Sequence, residues 1–274
     1  MSMSPFFISA SDLIALIGTA QSPMLFDTCR AKAFADANRV VAGAKWRDHS
    51  AIDDWITEIP EGADVVVNCV HGHQMSQSTV ARLRQLGVNA RVLAGGIDGY
   101  IEAGGITIEK FDALPKFHER ATRWVTRERP KVDRVACPWF IRRFVDPAAE
   151  ILFVEADWVK GVAVAMDAIP FDVPETEFSH EGEKCSFDIF LDRFGVEDEA
   201  LRHLARIVRG ADTGRPGLEP EAAGLLAMSL GVSAANQDDH AALAHGMVIY
   251  DALYSWCRNA VAETHNWPAQ GAGQ

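Results

Sequence analysis

Asp64-Val65-Val66-Val67-Asn68-Cys69 is the stretch that decides the fold of the first half of this 274-residue chain. The segment is short, rich in β-branched residues and preceded by Glu61-Gly62, a pattern typical of a buried strand. Downstream, apolar residues recur at helical spacing over Gln77–Leu86, and Gly87 marks the end of the helix. The sequence therefore predicts a strand, a loop over Cys69–Ser76 and a helix, with the thiol at the carboxyl end of the strand.

Strands and helices also alternate on both sides of this strand-loop-helix unit, from Ser9 to about Gly105. Ser9-Ala10-Ser11-Asp12 predicts the start of a helix. Short strands are predicted at Met24–Asp27, near Lys45-Trp46 and at Arg91–Leu93. Short strands that alternate with helices indicate an α/β fold, in which a parallel sheet is flanked by helices.

The chain changes character between Ile106 and Thr126, where Pro115, Lys116 and His118 predict a linker. Beyond it, one segment, Ile151–Val154, has the pattern of a strand. Helical periodicity predominates elsewhere, in Phe187–Phe194, Glu199–Arg209, Pro220–Leu230 and His240–Val261. We therefore predict two domains, residues 1–115 and 123–262, of which the second is mostly helical (α or α+β).

Charge and composition exclude several kinds of partner. The formal net charge of −12 argues against nucleic acid, because affinity for phosphate backbones comes from clustered Lys and Arg. No Lys or Arg precedes Arg30, and no apolar run approaches the roughly 18 residues of a membrane span. The five cysteines are scattered and include no CxxC pair, as in a reducing compartment. We expect a cytoplasmic protein without a membrane partner, of undetermined oligomeric state.

A cysteine between a buried strand and a helix occupies a reactive position. The loop amides and the first-turn N–H groups are partly positive, which lowers the pKa of a thiol and favours oxyanion binding. Gly72 allows a tight turn, and Ser76 is placed either to cap the helix or to donate a hydrogen bond to the thiolate. Cys29 is either a resolving thiol or a small buried side chain.

Four motifs in residues 9–105 resemble those of the rhodanese-like sulfurtransferases. They are, in order, Leu25–Arg30, Val41–Ala44, the strand and loop Val65–Gly72, and Leu93–Tyr100 with its paired glycines. The resemblance implies a rhodanese-like parallel sheet and a thiosulfate sulfurtransferase activity in which Cys69 is the nucleophile and carries a persulfide. It implies no cofactor, a small-molecule sulfur donor and a thiol acceptor.

The resemblance also implies roles for the residues around the thiol. Asp27 and Arg30 would support the loop as an ion pair. Simple members of the family place an Arg where this chain has Gln74, so thiosulfate is less secure as the donor and phosphate ester hydrolysis is disfavoured. His71 and His73 either replace that positive charge or face solvent. Backbone amides of the loop would bind the anion, which makes the substrate-binding residues Val70, His71, Gly72, His73, Gln74, Met75 and Ser76.

Two segments of the second half contain chemically active residues. Arg129–Phe144 is basic and aromatic, and if Pro138 opens a helix, an oxyanion pocket would combine Arg134, Arg142 and Arg143. Surface ion pairing is the alternative. In the segment from Phe178 to Asp188, the candidate metal ligands are His180, Glu181 and Cys185, with Asp133, Asp212 or His240 added from elsewhere; a hydrogen-bonded turn is the alternative.

Residues 123–260 resemble the C-terminal domain of the chromate-resistance ChrB family. The matching segments are Arg129–Phe144, Ile169–Pro174, His180–Phe187, Gly210–Thr213 and Tyr250–Tyr254. Chromate, like sulfate, is a tetrahedral dianion, which suits the Arg-rich segment. Three hypotheses follow: a sulfurtransferase linked to chromate or oxyanion resistance, a non-catalytic oxyanion or redox sensor, and a metal-dependent second domain served by the first.

Overall fold

The computed structural model describes residues 5–110 and 121–263. The first half contains seven strands: β1 (Phe7–Ile8), β2 (Met24–Asp27), β3 (Arg39–Val41), β4 (Ala44–Trp46), β5 (Asp64–Asn68), β6 (Asn89–Leu93) and β7 (Thr107–Glu109). Its helices are α1 (Ala10–Leu16), α2 (Ala31–Asp36), α3 (Ile52–Trp55), α4 (Gln74–Gln85) and α5 (Gly96–Glu102), and a 3₁₀ turn covers Ile56–Glu58.

Five of these strands form one parallel sheet in the order β1-β6-β5-β2-β4. The valine-rich strand β5 lies at the centre of this sheet, and its residues Val65, Val66 and Val67 are fully buried. Strands buried on both faces are uniformly apolar, which explains the run of valines. β3 and β7 pair separately in an antiparallel ribbon. The predicted α/β class is confirmed for the first half.

The second half is mostly helical, as predicted, but its sheet is larger than the sequence indicates. Its strands are β8 (Arg123–Arg127), β9 (Glu150–Val154) and β10 (Ile169–Pro170), in the parallel order β10-β8-β9. The helices are α6 (Asp133–Phe140), α7 (Val159–Met166), α8 (Ser186–Arg193), α9 (Glu199–Asp212), α10 (Ala222–Ala235) and α11 (Asp239–Asn259). A π-helical segment, Ile141–Val145, follows α6, and a 3₁₀ turn covers Ala156–Trp158.

The two halves share one apolar core. A single cluster of buried side chains contains Leu13, Val41, Tyr100, Phe140, Phe144 and Tyr254, three from each half. Main-chain hydrogen bonds also cross the boundary, from the amide of Gly43 to the carbonyl of Phe144 at 2.7 Å and from Glu109 to Phe194 at 2.9 Å. The predicted linker residues Pro115, Lys116 and His118 lie outside the described residues. None of the described helices is long and apolar enough to cross a membrane.

Candidate functional site

Cys69 follows the central strand β5 directly, at the edge where the parallel strands end. Its side chain is 7% exposed, so the thiol lies at the base of the loop. Its Sγ lies 3.2 Å from the Oγ of Ser76, a fully buried residue in the first turn of α4. Of the two roles predicted for Ser76, the structure shows the contact with the thiol, because His73 occupies the capping position of α4.

The backbone around the thiol has a row of free donors. Among the described residues, the main-chain amides of residues 70–76 donate no hydrogen bond to another group of the protein. Unpaired amides at the start of a helix are partly positive and bind anions. The carbonyls of the loop are occupied, because the amides of Ile97 and Asp98 in α5 donate to the carbonyls of Cys69 and Val70 at 3.0 and 3.2 Å. The loop therefore presents donors rather than acceptors.

Two glycines from separate motifs fix the shape of this loop. Gly72 has a φ of +70°, and a Cβ there would lie 2.6 Å from the carbonyl oxygen of Leu93 and 2.8 Å from the amide of Gly96. Gly96 has a φ of +62°, and a Cβ there would collide with the carbonyls of Cys69 and Val70. The cysteine loop and the paired glycines, which are far apart in the sequence, are in direct contact.

The polar residues of the loop are on the surface of the protein. His71, His73 and Gln74 are exposed, and the Nδ1 of His71 lies 2.9 Å from a carboxylate oxygen of Asp98. The predicted loop is too long, since α4 begins at Gln74 and Met75 is also helical. Gln74 therefore stands in the first helical turn, where its side chain reaches solvent.

The predicted ion pair between Asp27 and Arg30 does not form. Asp27 is buried, burial raises the pKa of its carboxyl, and its Oδ1 accepts a hydrogen bond of 2.9 Å from the amide of Cys29. Arg30 is exposed at the start of α2. Burial, and then the neighbouring Asp27, raise the pKa of the Cys29 thiol well above its usual range, which favours the small buried side chain over a resolving thiol.

The three arginines of the predicted oxyanion pocket do not meet. Pro138 lies inside α6, which begins at Asp133, so the helical faces differ from those expected. Arg143 binds both carboxylate oxygens of Asp251 at 2.7 and 2.8 Å. The Nε of Arg142 donates to the carbonyl of Ala149 at 3.3 Å. The third residue, Arg134, lies apart from both and lines a cavity.

This cavity has a volume of about 350 Å³. Its lining includes Arg127, Lys131, Arg134, Asp172, His180 and Asp212. Arg127 ends β8 and Asp172 follows β10, so the cavity opens at the carboxyl edge of the parallel sheet. Ligand sites commonly form at that edge in parallel sheets.

His180 is the centre of a cluster of charged groups in this cavity. Its Nε2 lies 3.4 Å from an oxygen of Asp133, 3.3 Å from Asp172 and 3.3 Å from Asp212. Hydrogen bonds with Asp133 and Asp172 raise the pKa of His180 to about 10. Burial, together with the other two carboxylates, raises the pKa of Asp212 to about 7.

The predicted metal ligands are only partly brought together. Glu181 accepts a hydrogen bond of 2.7 Å from Arg193, and the Sγ of Cys185 lies 3.3 Å from a carboxylate oxygen of Asp188. Neither residue belongs to the group of ligand atoms around His180. His240, one of the residues proposed to complete the set, packs instead on the ring of Phe153. The other two, Asp133 and Asp212, do lie beside His180.

Sequence reasoning missed Asp172 and Arg127 as members of the site. Asp172 accepts hydrogen bonds from the Oγ of Ser186 at 3.0 Å and from the Nη2 of Arg127 at 2.9 Å. Both residues belong to the sheet edge formed by β8 and β10. The signal in the sequence was Phe171-Asp172-Val173, a lone acid between buried apolar residues.

Solved structures similar to this chain match its first half. A rhodanese-related protein from Thermoplasma volcanium is 23% identical, and the match covers 38% of this chain and 98% of that one, with a TM-score of 0.34. A protein from Lactobacillus plantarum is 19% identical over 38% of this chain and 88% of that one, with a TM-score of 0.36.

A curated relative is similar to part of this chain. Protein ChrB of Cupriavidus metallidurans is 36% identical over 135 residues, which are 48% of this chain and 40% of the relative. The chain thus spans well under half the length of that relative. Over residues 124–257 the chain matches the family described as ChrB, C-terminal domain.

Proposed function

We propose that this protein is a sulfurtransferase in which Cys69 transfers a sulfane sulfur, and that this activity is linked to chromate or oxyanion resistance. The observation that supports the proposal most directly is the pairing of one thiol with a row of unoccupied amides. The Sγ of Cys69 lies at the carboxyl end of β5, and the amides of residues 70–76 donate to no other group among the described residues.

The reaction has two balanced steps. The thiolate of Cys69 attacks the outer sulfur of thiosulfate, so that a Sγ–S bond forms, the donor's S–S bond breaks and sulfite leaves with the electron pair. A thiolate acceptor then attacks the outer sulfur of the persulfide. The Sγ–S bond breaks, the acceptor leaves as a persulfide and the Cys69 thiolate is restored. No cofactor is needed for either step.

The amides would stabilise the charge that moves during these steps. Negative charge shifts from the attacking thiolate to the departing sulfite, and preorganised N–H groups near that path lower the barrier. Because Gln74 stands where an arginine would bind the donor, the exposed His71 and His73 are the nearest candidates for binding the rest of the donor molecule. We infer that the donor is a small sulfane compound, thiosulfate or a persulfide.

The link to chromate is supported by the second half of the chain. Residues 124–257 match the ChrB C-terminal domain, whose family is associated with chromate resistance. The proposal places the protein in the cytoplasm, with a small-molecule donor, a thiol acceptor and neither nucleic acid nor a membrane as partner.

The decisive experiment compares two cysteine variants in the transfer of sulfur from thiosulfate to cyanide. Cys69→Ser should abolish turnover, because serine cannot form the persulfide. Cys29→Ser is the matched control, since Cys29 is also buried beside a strand end but is not the nucleophile, and it should retain turnover. Intact mass after thiosulfate treatment should show one added sulfur in wild type and Cys29→Ser but none in Cys69→Ser.

The same experiment identifies the alternative. If the wild-type protein shows neither turnover nor an added sulfur with thiosulfate or glutathione persulfide, the sulfurtransferase proposal is wrong. A sensor, in which Cys69 is oxidised or the loop binds an oxyanion without transfer, would then be the remaining function for this loop.

A further inference from the structure

The charged cluster around His180 has more acceptors than its own donor can satisfy. A single ring nitrogen, Nε2, faces carboxylate oxygens of Asp133, Asp172 and Asp212 at 3.3–3.4 Å. One N–H group donates to one acceptor, and a charge-assisted hydrogen bond is shorter, about 2.7–2.9 Å. His180 alone therefore cannot satisfy all three carboxylates; Asp133 and Asp172 also accept hydrogen bonds from other residues, whereas Asp212 faces the cluster mainly through His180.

The spacing matches that of ligands around one metal ion. Nitrogen and oxygen ligands lie about 2.1 Å from a zinc-like ion, so the corners of a tetrahedron around it are roughly 3.4 Å apart. One ligand atom from each of Asp133, His180 and Asp212 falls within 4.8 Å of the other two. A set of one imidazole and two carboxylates suits first-row divalent metals such as Zn²⁺ and Mn²⁺.

The surrounding structure holds two of the carboxylates in place. Asp133 is 1% exposed, and its oxygens accept hydrogen bonds from the amides of Ser186 and Phe187 at 2.6 and 3.3 Å, at the start of α8. Asp172 connects the cluster to Arg127 and to the Oγ of Ser186. Outer contacts of this kind orient metal ligands before the metal binds.

The cavity adds a second, independent indication of a ligand. Three cationic residues, Arg127, Lys131 and Arg134, line it together with the cluster. The Nε of Arg127 is buried and has no hydrogen-bond partner among the described residues. The Nη2 of the same guanidinium already donates to Asp172 at 2.9 Å, so the Nε is the donor that remains for an anion entering from the cavity.

We propose that Asp133, His180 and Asp212 bind one divalent transition-metal ion, and that its open coordination positions face the cavity and accept a small anion held by Arg127 and Lys131. Three protein ligands with an open position are the arrangement found in catalytic rather than structural zinc sites. The metal site does not involve Cys69, so it can be tested independently of the proposed sulfur transfer.

The first test measures Zn²⁺ binding by calorimetry to the full chain after treatment with a chelator, with Mn²⁺ as a second probe. Wild type should bind one ion per chain in this site. His180→Ala and Asp212→Asn each remove one ligand and should weaken binding by at least about 10-fold. Circular dichroism checks folding, and Asp212→Asn keeps the side-chain shape should His180→Ala fail to fold.

A second group of metal-ligand type provides the matched control. His203, Glu219 and Glu221 also lie within 4.8 Å of one another, but Glu219 already pairs with Arg206 at 2.5 Å. His203→Ala should therefore leave Zn²⁺ affinity unchanged, as should Cys69→Ser. The proposal is overturned if wild type binds neither metal, or if His203→Ala weakens binding while His180→Ala and Asp212→Asn do not.

The second test concerns the anion, with sulfate as the probe. Sulfate should bind the zinc-loaded protein more tightly than the metal-free protein. Arg127→Gln should reduce sulfate affinity while Zn²⁺ still binds. Equal sulfate affinity with and without zinc, or no effect of Arg127→Gln, would remove the anion from the proposal and contradict it in that part.

Discussion

Gly96 is packed so closely against the Cys69 loop that no side chain fits at its position. Its φ of +62° is left-handed, and a Cβ would meet the carbonyls of Cys69 and Val70. Gly87, at the end of α4, has a φ of +88° but open space around its Cα. Substitutions at the two glycines therefore distinguish the effect of a left-handed backbone from the effect of a steric collision.

We predict that Gly96→Ala eliminates sulfur transfer, while Gly87→Ala preserves it. Both variants incur the strain of a left-handed alanine, about 1–2 kcal/mol. Only Gly96→Ala must also move the loop that holds the thiol. Urea unfolding measures the stability cost, and the thiosulfate assay measures the activity. Equal activity of the two variants would contradict the role assigned to this contact.

At the level of elements, the first half could be predicted well and the second only in part. β5 and α4 follow from local pattern, because a buried parallel strand is uniformly apolar and a helix repeats its apolar face. β8 has a local strand signal in Trp124-Val125-Thr126 that our prediction did not use, whereas β10 has only two residues and no such signal. Pro138 suggested a helix start, although tertiary packing places it inside α6.

Some predictions of functional residues were wrong for a similar reason. Arg143 is held by Asp251, a residue of α11 that no local pattern connects to it, and Arg142 by the carbonyl of Ala149. His180 could be found from the sequence, and Asp133 and Asp212 were named among its possible partners. Asp172 has only the local signal of an acid between apolar residues, and its place in the cavity depends on the pairing of β10 with β8.

The contact between the π-helical segment and α11 gives a prediction at this scale. Arg143 holds Asp251 with two hydrogen bonds, and the indole of Trp139 donates to the same carboxylate at 2.8 Å. Arg143→Gln should lower the free energy of unfolding by about 2 kcal/mol, since a charge-assisted pair is lost. Arg142→Gln, which loses one bond to a carbonyl, should cost less.

Guanidinium chloride denaturation of both variants tests this comparison. Sulfate binding by the zinc-loaded protein should be unchanged in each, because neither arginine lines the cavity. A loss of sulfate affinity in either variant would instead support the predicted oxyanion pocket of Arg134, Arg142 and Arg143.

In the whole molecule, the shared core leads us to expect that the two halves unfold as one unit. The buried ion pair between Lys45 and Asp146 crosses the boundary at 3.1 Å, with 14% and 0% of the side chains exposed. Lys32 and Asp36 form a pair of 2.8 Å within α2, but 86% and 63% of those side chains are exposed. The two pairs differ in burial and in whether they join the halves.

We predict that Lys45→Met lowers the free energy of unfolding by about 3 kcal/mol, because the Asp146 carboxylate remains buried without its cation. Lys32→Met should change it by less than about 1 kcal/mol. Urea unfolding, followed by tryptophan fluorescence and far-ultraviolet circular dichroism, should show one transition with both probes. Two separated transitions, or equal costs for the two variants, would refute the single folding unit.

Gly18 lies where the first half meets the aromatic rings of the second. A Cβ at this position would collide with the ring of Phe144 and would lie 2.8 Å from that of Tyr254. A larger residue at position 18 would therefore need smaller ones at 144 or 254 to fit. A second half of this kind joined to a different first half would need other side chains on this aromatic surface. The fit between the two halves thus depends on residues that belong to neither candidate site.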